Sequence, residues 1–170
     1  MKNTFFIICL VLVGHLTAQK YNTLGGIRIG DDFGISFAQR IANKNTIELN
    51  IQPGTFAGNN MSSILVKQHY SLLTKRFNFF MGAGVYHRSY QTTLSDVIQN
   101  HKSYGAAFTF GAEFTIGRLS ISTDYVPLVT FNHNSHQKFY TTSGFSMRYV
   151  LVGRESSTKR FFKNIFKKKR

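Results

Sequence analysis

Few residues in this 170-residue chain have types and spacings that could do chemistry. His69-Tyr70-Ser71 sets a base two positions from a hydroxyl. Nucleophilic catalysis needs that pairing and a third group to orient the base. No glutamate follows until Glu113, on a different segment of the pattern described below. His87, His101, His133 and His136 fall near one end of that pattern. His133 and His136 could chelate a metal, but two histidines in a polar loop do not usually make a site. The remaining candidates are charges placed inside otherwise apolar segments. Arg28, Arg40, Lys67 and Arg148 face Glu48, Glu113 and Asp124. Such a set could line an ion path, or it could form a salt-bridge and hydrogen-bond network that lets a polar interior pack. The second reading is the simpler one. No catalytic residue, metal or cofactor is expected.

The elements that carry these residues repeat every second position. In 103–116, Tyr104, Ala106, Phe108, Phe110, Ala112, Phe114 and Ile116 alternate with Gly105, Ala107, Thr109, Gly111, Glu113 and Thr115. A period of two is a strand with two unlike faces. Segments 33–41, 46–53, 119–131 and 139–151 alternate in the same way, and 21–30, 63–74 and 77–90 do so more loosely. In 77–90, Phe80 and Tyr86 join the otherwise small or polar face. That makes eight strands, with no helical period before residue 158. The connections fall into two classes. Residues 42–45, 75–76 and 117–118 are tight turns, and 53–62, 91–102 and 132–138 are longer polar loops. The two classes alternate, as they must when strands run up and down. The connection at Asp31-Asp32 belongs to the loop end but is short.

One domain suits the length. Residues 1–19 read as a signal peptide: Lys2, an apolar run over 5–14, then Leu16-Thr17-Ala18 as a cleavage site. The run is too short to span a bilayer. Cys9 lies inside it, so the mature chain has no cysteine and no disulfide. Formal net charge is +14, of which +7 lies in residues 154–170, where eight Lys or Arg meet one Glu. An export signal makes nucleic acid an unsuitable partner for that charge. Anionic lipid or lipopolysaccharide is the available one. In the tail, Phe161, Phe162, Ile165 and Phe166 sit at helical spacing among Lys159, Arg160, Lys163, Lys167, Lys168, Lys169 and Arg170. That pattern predicts an interfacial amphipathic helix at the periplasmic end.

Alternation alone does not say which face is inside. Three features choose. The oily face carries large aromatics on nearly every strand. Acids and bases both occur mid-strand on the polar face, where they could pair. Short turns and long loops are segregated. With strands near 9–11 residues, these features describe an all-β, eight-stranded antiparallel up-and-down transmembrane β-barrel with a basic C-terminal tail. A sheet in lipid must close, and eight strands leave an interior that side chains fill. The opposite choice would give a secreted lipocalin-like carrier whose oily face surrounds a ligand.

The last strand has the most specific pattern. Thr142-Ser143-Gly144-Phe145-Ser146-Met147-Arg148-Tyr149 runs polar, any, Gly, any, any, apolar, any, aromatic. Here the chain resembles the small eight-stranded outer-membrane barrels of the OmpA-barrel and OmpX type. The resemblance covers roughly residues 21–152. LGGIRIG, GISFAQRI and NTIELNI are similar to the opening strands of small barrels common in Bacteroidetes-like outer membranes. It implies that Thr142, Gly144, Met147 and Tyr149 form the signal read by the outer-membrane assembly machinery. It also implies a monomer in the outer membrane of a Gram-negative cell, in contact with lipid and lipopolysaccharide. Family chains usually end on that final aromatic, whereas this one runs on for about twenty residues. Lipid A deacylases also resemble small barrels and use His-x-Ser with a downstream Glu, at a site facing lipid. Here His69 and Ser71 fall on the polar face, so the match fails. The domain reading is 1–19 signal peptide, 20–153 barrel and 154–170 basic periplasmic tail. The function expected is non-enzymatic, structural or surface-interacting, with a filled lumen; a lipid A-modifying enzyme and a narrow channel are the alternatives.

Overall fold

The computed structural model describes residues 21–153 except 57, 75, 95–96 and 132–137. The expected signal peptide and basic tail, with His133 and His136, lie outside the described residues. Eight strands follow one another: β1 Tyr21–Ile29, β2 Phe33–Arg40, β3 Asn45–Pro53, β4 Asn60–Thr74, β5 Phe77–Leu94, β6 Val97–Ile116, β7 Leu119–Thr130 and β8 Phe139–Gly153. Each pairs antiparallel with its sequence neighbour, and β8 returns to β1 to close the barrel. The closing register sets Gly25 against Tyr149, Ile27 against Met147 and Ile29 against Phe145. Around the wall each strand has a paired neighbour on both sides, which disposes of the edge problem that open sheets face.

The alternation becomes the wall of the barrel. Odd positions of β1 to β3 from Gly25 onward, and their partners around the barrel, point outward. Ile35 at 59%, Val85 at 57% and Leu151 at 58% are among many large apolar side chains exposed there. Inside, Arg148, Lys67 and Glu113 are each 1% exposed. The oily face is therefore outside and the charged face inside. A lipocalin-like carrier needs the reverse, so that alternative is excluded.

Two glycines show what the geometry demands. The two-residue connection between β6 and β7 places Gly117 at φ 59°, a left-handed conformation that a tight hairpin needs and that glycine adopts without strain. Gly105 points inward, and a Cβ there would lie 1.9 Å from the carbonyl oxygen of Val129 on β7. A narrow barrel coils tightly enough to press neighbouring backbones against such positions.

The 91–102 segment corrects one expectation. Its described residues, 91–94 and 97–102, are not a loop but the upper half of a hairpin. Ser89 pairs with Lys102, and the register continues without a break to Leu94 and Val97. β5 and β6 reach 18 and 20 residues, against 8 or 9 for β1 to β3. β4 pairs with β5 only as far as Ser89, and β7 with β6 only as far as Gly105. Above those points the two strands form a ribbon beyond the wall. Tyr90 and His101, opposite one another, stack with ring centroids 5.3 Å apart. The polar composition suggested a loop, but Tyr90, Thr92, Thr93, Val97 and Ile98 are strand formers. Similarly β4 starts at Asn60, so the β3–β4 loop is shorter than 53–62.

Candidate functional site: the sealed ionic lumen

The interior is built in three layers. At the short-turn end, Tyr21, Leu24, Ala38 and Val150 form a buried apolar cluster. At the loop end, Met61, Leu65, Tyr86, Ala107, Val126 and Leu128 form a second, with Tyr140 packed on it. The charges lie between them.

Arg28 of β1 crosses the lumen and grips Asp124 of β7 with both ends of its guanidinium: Nη1 donates to Oδ2 and Nη2 to Oδ1, each at 2.6 Å. This fork-to-fork arrangement is the strong form of the Arg–carboxylate pair. Gly144 makes the room. A Cβ at that position would lie 2.2 Å from Arg28 Nη2 and 2.4 Å from its Cζ. Glu48 of β3 is the second anchor. Its Oε1 accepts from Lys67 Nζ at 2.7 Å and from Asn50 Nδ2 at 3.0 Å, and its Oε2 accepts from Arg148 Nη1. Arg148 also donates to the hydroxyls of Ser122 and Ser36, and its Nη2 lies 3.6 Å from Glu113 Oε2. That same oxygen accepts from the Tyr21 hydroxyl at 2.9 Å. Lys67 Nζ reaches 3.7 Å from Asp124 Oδ2 and sits 4.3 Å from the centre of the Phe80 ring. Three cations and three carboxylates thus form one connected, formally neutral cluster. A buried charge is tolerable only when paired and hydrogen-bonded in this way.

Six of the seven expected lumen charges meet here: Arg28, Glu48, Lys67, Glu113, Asp124 and Arg148. Arg40 does not, and this is a correction. It sits at the last position of β2, where an inward side chain has already cleared the wall. Its guanidinium turns back on the β2–β3 turn, with Nε donating to the Ala42 carbonyl at 2.9 Å and Nη2 to the Asn43 carbonyl at 3.1 Å.

His69 and Ser71 are buried inside the barrel. His69 Nε2 pairs with Thr46 Oγ1 at 2.9 Å, and the ring packs between Tyr21 and Phe80. The pair is remote from the lipid-facing surface that a deacylase site requires. Among the described residues no three His, Cys, Asp or Glu side chains gather as a metal site. Of the last-strand pattern, Thr142 and Gly144 point inward, and Thr142 donates to Asp31 Oδ1 at 2.8 Å. Met147 and Tyr149 point outward, and Tyr149 accepts from Arg118 Nη1 at 3.1 Å.

The sequence reading missed the lid of the lumen. Asp31, in the β1–β2 connection, accepts from Thr142 and from the Tyr140 hydroxyl. The Arg88 guanidinium lies 4.0 Å from the Tyr140 ring centre and 5.0 Å from that of Tyr90. Asp32 Oδ1 accepts from the Phe33 amide at 2.6 Å, and both its carboxylate oxygens lie within reach of the Phe56 amide. The Asp31-Asp32 pair after Gly30 was the available signal.

No family model matches the sequence, and no curated protein does. Among solved structures the chain is similar to the N-terminal β-barrel domain of Pseudomonas aeruginosa OprF. The likeness has a TM-score of 0.61 at 12% identity and covers 77% of this chain and 98% of that one. At that identity what is shared is the fold, a small closed eight-stranded barrel.

Proposed function

We propose that this protein is an exported outer-membrane β-barrel with a structural or surface-interaction role and no enzymatic activity. The observation that carries the reading is the inversion of its faces. Phe, Ile, Leu, Val and Tyr side chains stand exposed around the outside, while arginine, lysine and carboxylates fill the inside. A soluble monomer does not expose apolar surface on that scale. A bilayer solvates it, and a closed barrel leaves no backbone group unsatisfied there. The likeness to the OprF barrel domain supports the same architecture. The loop end faces outward in this reading, presenting the β5–β6 ribbon. The termini and tight turns face the periplasm.

The finer elements of the proposal follow from the sequence. Residues 1–19 direct export. Thr142, Gly144, Met147 and Tyr149 engage the assembly machinery. The barrel works as a monomer in contact with phospholipid and lipopolysaccharide, and residues 154–170 lie on an anionic surface in the periplasm. Two apolar clusters around a neutral ionic layer favour a closed plug over a channel.

The test is heat-modifiability. Membrane fractions are run on a denaturing gel with and without boiling. A mobility shift on boiling, confined to the outer-membrane fraction, is the expected result. An unshifted protein recovered in the periplasm refutes the reading.

A further inference from the structure

We infer that the three tight turns form a cationic ring that lies in the headgroup layer of the periplasmic leaflet and gathers anionic phospholipid around the barrel. The inference rests on the membrane reading above. It is carried by where the charges sit.

Among the described residues the acids occupy two places. Glu48, Glu113 and Asp124 are in the lumen, within reach of Lys67, Arg148 and Arg28. Asp31 and Asp32 are in the β1–β2 connection at the loop end, the end to which Arg88, Lys102 and Lys138 also belong. The sixth acid of residues 20–153, Asp96, falls in sequence between β5 and β6. Lumen and loop end are thus close to balanced. The tight-turn end has cations and, among the described residues, no carboxylate. Each turn supplies one: Lys44 between β2 and β3, Arg76 between β4 and β5, and Arg118 between β6 and β7. Arg40 adds its charge at the same rim, although its guanidinium is held by the β2–β3 turn. Net charge, rather than a spare donor on any one group, is what this end offers.

A repeated bond fixes the three turns to the rim. The Lys44 carbonyl accepts from the His69 amide of β4 at 2.8 Å, the Arg76 carbonyl from the Thr115 amide of β6 at 2.8 Å, and the Arg118 carbonyl from the Val150 amide of β8 at 2.7 Å. Each turn is therefore tied to the hairpin that follows it. The turns recur at every second strand, so the cations are spread around the mouth. The remaining gap is between β8 and β1, where Gly153 lies beside Tyr21. In sequence the residues flanking that gap are Lys20 and Arg154.

The apolar wall sets the level of the ring. Ile41, Leu72, Ile116 and Leu119 stand exposed on the outer face next to the turns. They are one to four positions from Lys44, Arg76 or Arg118. At about 3.3 Å per strand residue, lipid tails that solvate those side chains bring their headgroups level with the turns. Arg118 already reaches toward that side, with Nη1 donating to the hydroxyl of outward-facing Tyr149. Aromatic and basic side chains together are what a membrane interface accommodates. Cations so placed meet lipid phosphate before anything dissolved in the periplasm, which favours a lipid surface over an acidic protein. Bases at such a surface each add attraction to anionic headgroups.

The test is electron paramagnetic resonance of chain-labelled phosphatidylglycerol and phosphatidylcholine, with the mature full chain folded into phosphatidylcholine vesicles. The immobilised fraction of each label gives its relative association with the barrel. We expect phosphatidylglycerol to be favoured about threefold or more in dilute buffer, and close to equality in 1 M salt, where the screening length is about 3 Å. The set Lys44→Gln, Arg76→Gln and Arg118→Gln should lose at least half of that preference. The charge-keeping set Lys44→Arg, Arg76→Lys and Arg118→Lys should retain it, and deletion of residues 154–170 should leave part of it. Equal association of the two lipids with the wild type overturns the proposal. So does a preference that the glutamine set leaves intact; if deletion of residues 154–170 then abolishes it, the tail alone is the anion site. Loss of the preference in the charge-keeping set overturns it as well. Soluble polyglutamate that binds through the three turn residues, with no lipid preference, would overturn it by giving this end to an acidic macromolecule. Each variant is run unboiled and boiled. A wild type without a mobility shift sinks the membrane reading, whereas a shifting barrel without lipid preference sinks only the cationic ring.

Discussion

Glu48 is the residue on which the lumen network is most easily broken. Its carboxylate accepts from Lys67, Arg148 and Asn50 at 2% exposure. Glu48→Gln keeps the shape and an acceptor but leaves three cations against two carboxylates in a sealed interior. Removing one partner of a buried pair costs on the order of 3–5 kcal/mol, because the charge left behind is uncompensated. Lys67→Met leaves the opposite excess and should cost a similar amount, including its contact with the Phe80 ring. The double substitution restores balance, with Arg28 on Asp124 and Arg148 near Glu113. It should therefore lie within about 1–3 kcal/mol of the wild type, giving a coupling energy of roughly 3 kcal/mol or more. The assay is reversible urea unfolding in lipid vesicles, followed by far-ultraviolet circular dichroism and by gel mobility, since the chain has no tryptophan. Single variants that each cost under about 1 kcal/mol would mean that water screens these charges. A double variant as unstable as the sum of the singles would mean that they do not act as one network. Either result refutes the account of the lumen given above.

Three further outcomes are expected. In planar bilayers the wild-type protein should give no steady, reproducible openings, because apolar clusters close both ends of the lumen; regular unitary currents would refute the plug. Gly144→Ala should destabilise the barrel by about 2 kcal/mol or more, since the new methyl group meets the Arg28 guanidinium, and pairing it with Arg28→Ala and Asp124→Ala should remove most of that increment; an increment that persists unchanged in the triple variant would refute the steric account. A peptide of residues 154–170 should gain helix by circular dichroism on anionic vesicles but not on neutral ones, and the absence of any gain would remove the interfacial role of the tail.

Much of this fold was legible because a period of two is local information. Each strand states its own two faces, so eight strands and their inner charges could be read without knowing which strands touch. The inversion of the faces was legible from placement, since Arg28, Glu48, Lys67, Glu113, Asp124 and Arg148 interrupt only one of them. What composition hid was the extent of β5 and β6. Polar, strand-forming residues over 91–102 look like a loop until their register shows them pairing with one another. Arg40 was misplaced for a different reason. Parity fixes the side of the strand a side chain starts from, but not where a long one ends when its Cα is at the rim. Pairing inside the lumen lay beyond reach altogether, because Arg28 and Asp124 are 96 positions apart and meet only once the barrel has closed. Gly144 shows how the two kinds of information combine. In sequence it belongs to a last-strand pattern that suggests recognition during assembly. In space the same absence of a side chain is what lets the Arg28 fork reach its carboxylate. A requirement for glycine there consequently has a source inside the barrel, and loss of the residue has to be tested on stability before it is ascribed to recognition.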